Sequence, residues 1–162
     1  LGMRPDDERI PDSFEIARKM GLSYSFGIAN LTSAHPNSVV LEVKGKSGRT
    51  LEVQACSLGG GRIMINRLDG LDVNCSCEIP TLIVHNLDQP GHVAEVTSML
   101  AHKSVNIANM SLYRDKRGGS AVMVVEMDQP LPKESLEWLE HLEGIVKVTY
   151  INVTEGEEDD VL

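Results

Sequence analysis

Apolar and polar positions along the chain follow one rhythm as far as Pro80 and another after it. Phe14, Ala17 and Met20 fall at helical spacing, with Ser13 placed to cap and Gly21 to stop, so Ser13–Met20 is predicted as a short helix. Short β-branched or alternating runs follow at Tyr24–Ile28, Val39–Val43, Thr50–Cys56, Arg62–Leu68 and Leu71–Cys77. They are separated by Gly45-Lys46-Ser47-Gly48, Gly59-Gly60-Gly61 and Asp69-Gly70, and the last of these is a strong hairpin signal. Residues 22–77 therefore read as a mostly antiparallel meander, with Glu78-Ile79-Pro80 as a brief connection.

Beyond Pro80 the order becomes strand, helix, strand, strand, helix, strand. Thr81–His85 reads as a strand and Gly91–His102 as a helix with Val93, Val96 and Leu100 inward. Val105–Tyr113 and Ser120–Met127 read as strands around Lys116-Arg117-Gly118-Gly119. Lys133–Leu142 is a helix opened by Pro132 and closed by Gly144, and Ile145–Ile151 is a last strand. Such a βαββαβ series is the ferredoxin-like split βαβ unit. The fold class expected is α+β, with a small antiparallel domain over residues 1–78 and the βαββαβ domain over 81–152. Residues 153–162 form an acidic tail expected to be disordered.

Composition narrows the class of function. Of 162 residues, 41% are apolar and 24% charged, and no apolar run approaches the ~20 residues of a membrane-spanning helix. The net charge of −9 opposes binding to nucleic-acid phosphates or anionic membranes. Glu155, Glu157, Glu158, Asp159 and Asp160 supply five of the 24 acids, which leaves 19 acids against 15 bases in the rest of the chain. Three clustered cysteines, Cys56, Cys75 and Cys77, do not make a secreted disulfide framework, and a reducing cytoplasm is expected. The start, Leu1-Gly2-Met3-Arg4-Pro5, has neither an initiator methionine nor a basic-then-apolar signal pattern, and suggests the interior of a longer polypeptide.

Two stretches carry candidate binding chemistry. In Asn86-Leu87-Asp88-Gln89-Pro90-Gly91 the Pro-Gly pair starts a helix, and Gly91 lets a ligand or another backbone approach. The free N–H groups of the first helical turn suit a carboxylate, while Asn86, Asp88 and Asn106 suit an ammonium group and a side chain. Ordinary helix capping explains the same residues, and the Asp88 carboxylate repels an effector carboxylate as well as attracting an ammonium. His85 sits on the opposite face of its strand from Val84 and Asn86 and reads as structural. In Cys56-Ser57-Leu58-Gly59-Gly60-Gly61-Arg62 the glycine N–H groups can converge on an anion, with Ser57 and Arg62 as further donors. Neither a Walker loop nor a dinucleotide fingerprint is present there, because no Gly-Lys-Ser/Thr follows and a strand comes next.

The Asn86–Gly91 loop followed by a helix and Val105-Asn106-Ile107 resembles the ACT domain, the small regulatory module that binds amino acids in metabolic enzymes. That resemblance implies an amino-acid effector at Asn86, Asp88, Gly91 and Asn106, held between two ACT units paired side by side in a homodimer. Some ACT modules only dimerise, and both readings stay open. The Ser-Leu-Gly-Gly-Gly loop, the Leu68-Asp69-Gly70 hairpin, the ACT half directly after it and His35-Pro36-Asn37 upstream together resemble the β subunit of the iron–sulfur-dependent L-serine dehydratase. In that family the first half is the allosteric substrate-binding domain, also found in some phosphoglycerate dehydrogenases. The family's N-terminal segment with its Ser-Ser-Ser-His-Thr signature is missing from this sequence, so the first domain is read as truncated.

The resemblance implies a regulatory and assembly subunit for a catalytic α chain that converts L-serine to pyruvate and ammonia. The [4Fe–4S] cluster would be ligated by that α chain, with no cofactor and no metal in this one. His35 and Asn37 would stand at the edge of the active site; as residues alone, they read equally as a turn that caps backbone groups. Cys75 and Cys77 would share one face of a strand, which is not the Cys-x-x-Cys-type loop of a cluster ligand set. No HExxH and no Gly-x-Ser-x-Gly elbow occurs, so this chain alone is expected to be inactive. The alternative is a free-standing amino-acid-binding ACT protein, or the regulatory region of a phosphoglycerate dehydrogenase.

Overall fold

The computed structural model describes residues 1–3, 6–32 and 34–152, so the predicted acidic tail lies outside the described residues. Two compact units result, one formed by residues 1–32 and one by the chain from residue 34 onward.

In the first unit a 3-10 turn, Ile10–Asp12, leads into α1, Ser13–Lys19. Asp12 holds the N-cap position and Ser13 is the first helical residue, one place later than its predicted capping role. Ala17 is buried, and Gly21 ends the helix at φ +74°. The predicted strand Tyr24–Ile28 does not form. Its alternation serves a ring cluster instead: Phe14 stacks on Tyr24 at 5.3 Å between centroids, and Phe26 meets both rings edge-on.

The second unit holds two four-stranded sheets. The first is the meander β1 Ser38–Lys44, β2 Thr50–Gly59, β3 Arg62–Leu68 and β4 Leu71–Cys75, paired in chain order and antiparallel throughout. The second unites β5 Thr81–Leu87, β6 Ile107–Arg114, β7 Ser120–Met127 and β8 Ile145–Ile151 in the order β6-β7-β5-β8. With α2, His92–His102, and α3, Lys133–Glu140, it makes the predicted βαββαβ unit. On α2 the buried residues are His92, Val96, Met99 and Leu100. Val93 was expected inward but is 40% exposed, because the buried stripe starts one residue earlier, at His92.

The central strands β5 and β7 face a core on each side. Leu82, Val84, Met123 and Val125 pack against Val96, Leu100 and Leu139 from the helices. The intervening Ile83, Val122 and Val124 pack against Ile65, Leu68 and Val73 of the meander. Strands buried on both faces read as continuous apolar runs, which is why Leu82-Ile83-Val84 and Val122-Met123-Val124-Val125 show no alternation. The unit is thus layered as helices, sheet and sheet, and its middle layer is the ferredoxin-like sheet.

Candidate functional site

At one end of the meander the chain assembles two of the predicted motifs side by side. Pro36 keeps the approach to β1 out of helix, and His35-Pro36-Asn37 forms a turn. In it the His35 Nδ1 accepts from the Asn37 N–H at 3.2 Å, and the His35 carbonyl accepts from the Ser38 hydroxyl at 2.6 Å. The Ser57 N–H donates to the Asn37 carbonyl at 3.0 Å, extending the β1–β2 ladder by one bond. Two residues on, Gly59, Gly60 and Gly61 have φ of +84°, +63° and +77°. Gly59 pairs with Arg62, so Gly60-Gly61 is a two-residue hairpin turn in which both central residues must be left-handed. Ser57, Arg62 and the three glycines are all exposed.

The predicted effector residues lie on the other sheet and divide between its two ends. Asn86 is buried at 7% exposure and donates from Nδ2 to the Leu87 carbonyl. The Asp88 carboxylate accepts from the Gly118 N–H at 2.9 Å and from Arg114 at 3.0 Å, tying the β5–α2 loop to the β6–β7 hairpin. These bonds, the Gly118 N–H foremost, hold its pKa below the usual carboxylate range. Gly91 is the N-cap of α2 at φ +111°, with open space where a side chain would begin. His92 follows it, its Nδ1 3.3 Å from Glu95 and its ring packed under Gly144.

Asn106 stands just before β6, held by Asp128 at 2.6 Å and, through its backbone N–H, by Gln129 at 2.7 Å. Arg114, the partner of Asp88, is at the far end of that strand, about 25 Å away at the rise of an extended chain. One copy of the chain therefore does not bring Asn106 to Asn86, Asp88 and Gly91.

Sequence reasoning missed a polar seam between the sheets. Asp69 occupies the predicted Asp69-Gly70 hairpin turn at φ +46°. Its Oδ1 accepts from the Glu52 N–H at 2.9 Å, and its Oδ2 accepts from the Lys147 ammonium on β8. Lys147 also donates to the Thr50 carbonyl at 2.9 Å, and His85 places Nε2 3.6 Å from the same Asp69 oxygen. Burial of Asp69 is outweighed by the bonds from Lys147 and Glu52 and by the neighbouring positive charges, so its pKa falls. Burial dominates at His85 and lowers its pKa despite Asp69. The only sequence signal was the Asp-Gly turn itself. Beside this seam Arg49 reaches from the β1–β2 loop to the Val148 carbonyl and to Glu140, at the wall of a cleft of about 540 Å³. None of the predicted site residues lines it.

The cysteines differ from expectation in their backbone. β4 ends at Cys75, and Cys77 lies beyond it at φ +54°, so the two do not share a strand face. Their sulfurs are nevertheless 3.1 Å apart and buried, while Cys56 is buried on β2. Among the described residues no three His, Cys, Asp or Glu side chains gather as a metal ligand set.

Comparison with known proteins follows the same two halves. The ACT domain family model matches residues 80–143. The probable L-serine dehydratase, beta chain, of Bacillus subtilis is 33% identical over 145 residues, which is 90% of this chain and 66% of that protein. The L-serine dehydratase, beta chain, of Peptoniphilus asaccharolyticus is 31% identical over 154 residues, 94% of this chain and 69% of that one. The chain thus spans about two thirds of the length of these relatives. A D-3-phosphoglycerate dehydrogenase of Methanocaldococcus jannaschii is 31% identical over 90 residues, 56% of this chain and 17% of that protein.

Proposed function

The chain belongs to the L-serine dehydratase β-chain family, and from that premise we propose that it is the regulatory and assembly subunit of an enzyme converting L-serine to pyruvate and ammonia. The observation that carries this reading is the extent of the similarity. The Peptoniphilus β chain aligns with 94% of the chain at 31% identity, through the meander and the ACT half alike, whereas the archaeal dehydrogenase aligns with 56%, and a dehydrogenase of Bacillus subtilis that aligns with 85% is only 25% identical. A regulatory region of a phosphoglycerate dehydrogenase is the second reading, and it fits less well for that reason.

The catalytic groups belong, on this proposal, to a partner α chain in the cytoplasm. The [4Fe–4S] cluster is assigned to that chain as well, as the family resemblance implies. Asn86, Asp88 and Gly91 at one end of the β5–β6 sheet, and Asn106 at the other, would form an amino-acid site only between two copies. The separation along β6 supports a side-by-side ACT homodimer as the binding form. The turn at His35 and Asn37 and the hairpin at Gly59–Gly61 present one exposed surface, which we assign to the active-site edge and to anion capture.

Reconstitution tests the proposal. The full-length β chain mixed with its α chain should raise serine-dependent pyruvate formation well above that of α alone, and no gain would overturn the subunit assignment. Calorimetric titration with L-serine and other amino acids tests the effector site. No heat with any of them, in a preparation shown to dimerise, would leave the ACT half as a dimerisation module.

A further inference from the structure

We propose that Cys75 and Cys77 form an oxidisable dithiol, a two-electron redox site where the chain passes from the meander into β5. In an extended strand, residues two apart stand about 6.5 Å from one another, so sulfurs at 3.1 Å require a bend. The bend is present: β4 stops at Cys75, and Cys77 takes a left-handed φ of +54°, which a residue with a side chain adopts at a cost.

Neighbours on the second sheet hold the bend from both sides. The Asn74 N–H donates to the Tyr113 hydroxyl at 3.0 Å, and the Ser76 hydroxyl donates to Glu126 at 3.2 Å. The two sulfurs are therefore kept in contact by the fold, the condition under which an intramolecular thiol reaction is fast. Their acidities divide in the direction such a pair needs. The hydrogen bond from Cys77 lowers the Cys75 pKa against the effect of burial, and the same bond together with burial raises the Cys77 pKa. Cys56 has a buried position but no neighbouring thiol in contact.

Cys75 is 1% exposed and Cys77 7%, so the oxidant has to be small, a hydroperoxide. The Cys75 thiolate attacks one peroxide oxygen, the O–O bond breaks and hydroxide leaves, taking up the thiol proton as water. Cys75 is then a sulfenic acid. The Cys77 sulfur gives up its proton, attacks the Cys75 sulfur and breaks the S–O bond, and a second water leaves. Two thiols lose two electrons in total and the peroxide is reduced to water. In a reducing compartment such a disulfide is transient, as befits a sensor.

The full chain, folded, is exposed to hydrogen peroxide under conditions that fully oxidise a reference dithiol, then denatured, alkylated and digested for mass spectrometry. The peptide carrying Cys75 and Cys77 should lose two hydrogens, refuse the alkyl label and regain it after dithiothreitol, while Cys56 stays labelled. The Cys56→Ser variant should behave identically, and Cys77→Ser should trap a Cys75 sulfenic acid that reacts with dimedone. Retention of label at both Cys75 and Cys77 in the parent overturns the proposal. So does oxidation that appears only after unfolding, or a disulfide that involves Cys56. The parent experiment decides the matter whether or not the Cys77 variant folds.

Discussion

The backbone N–H of Ser57 donates to the carbonyl of Asn37 at 3.0 Å, so the His-Pro-Asn turn and the glycine hairpin, twenty residues apart in sequence, share one end of the meander. One ladder bond turns two separate motifs into one surface. Its chemistry is of the backbone type: exposed N–H groups of a hairpin beside a histidine whose Nδ1 is occupied by the next turn residue but one.

Gly60→Val probes that surface. Nothing lies within 4 Å of the added Cβ, so the cost comes from φ of +63° rather than from a clash. A loss of about 1–2 kcal/mol in urea unfolding is expected. Gly60→Asn should lose less, since Asn tolerates the left-handed region. On the proposed function, calorimetry with a carboxylate ligand should show binding weakened by the Val variant while the ACT half keeps its circular dichroism. Equal losses for Val and Asn would contradict the conformational explanation.

Asp69→Asn should destabilise the chain through Lys147. The asparagine retains an acceptor for the Glu52 N–H but leaves the ammonium, whose side chain is 14% exposed, with only neutral partners. A cost of about 1–3 kcal/mol is expected, between the values for exposed and buried pairs. A double-mutant cycle with Lys147→Met measures it, and a coupling energy near zero would deny the seam its role.

Stability should fall with acidification below about pH 6.5, the ordinary histidine value, on account of His85. Its folded pKa is lowered, so between the folded and unfolded values the unfolded chain binds more protons, and the folded state loses ground as pH drops. Asp69 adds a second loss at lower pH. Its folded pKa is also lowered, so its contribution is present above the unfolded value of 3.8 and vanishes as pH falls through the folded one. Urea midpoints from pH 8 to 3 would map both steps, and His85→Gln should flatten only the first.

Gly144→Ala combines strain and collision. The position has φ of +80°, and an added Cβ would lie 2.5 Å from the His92 Nε2. A loss of about 2–4 kcal/mol is expected from the left-handed backbone and overpacking together. His92→Ser should cost less in the Gly144→Ala background than alone, because it removes the collision. Additive losses in thermal unfolding would place the whole effect in the backbone.

Much of the βαββαβ half was legible because its signals are local: Pro132 and Gly144 bracket the second helix, and β7 and β8 fall on their predicted limits of Ser120–Met127 and Ile145–Ile151. Where local signals serve another purpose, the reading failed. Tyr24 and Phe26 alternate as strand residues do, yet their rings gather on Phe14. Cys75-Ser76-Cys77 continues a strand pattern, yet the chain bends at Cys77. The Asp69–Lys147 contact joins residues 78 apart, and no periodicity announces a bond of that range. At the candidate sites, residue type was visible and partnership was not: Asp88 was read as a ligand group, and its carboxylate is engaged by Gly118 and Arg114.

The two-sided burial of β5 has a mechanical meaning. Leu82 and Val84 belong to the helix-side core and Ile83 to the meander-side core, so a slip of one residue would exchange the two sets at once. Sliding is thereby forbidden to this strand, and the sheet behaves as a stiff plate clamped from above and below. A displacement of β5 that starts at the Asn86–Gly91 loop, at the rim of that plate, would therefore move the helix-side and meander-side cores together.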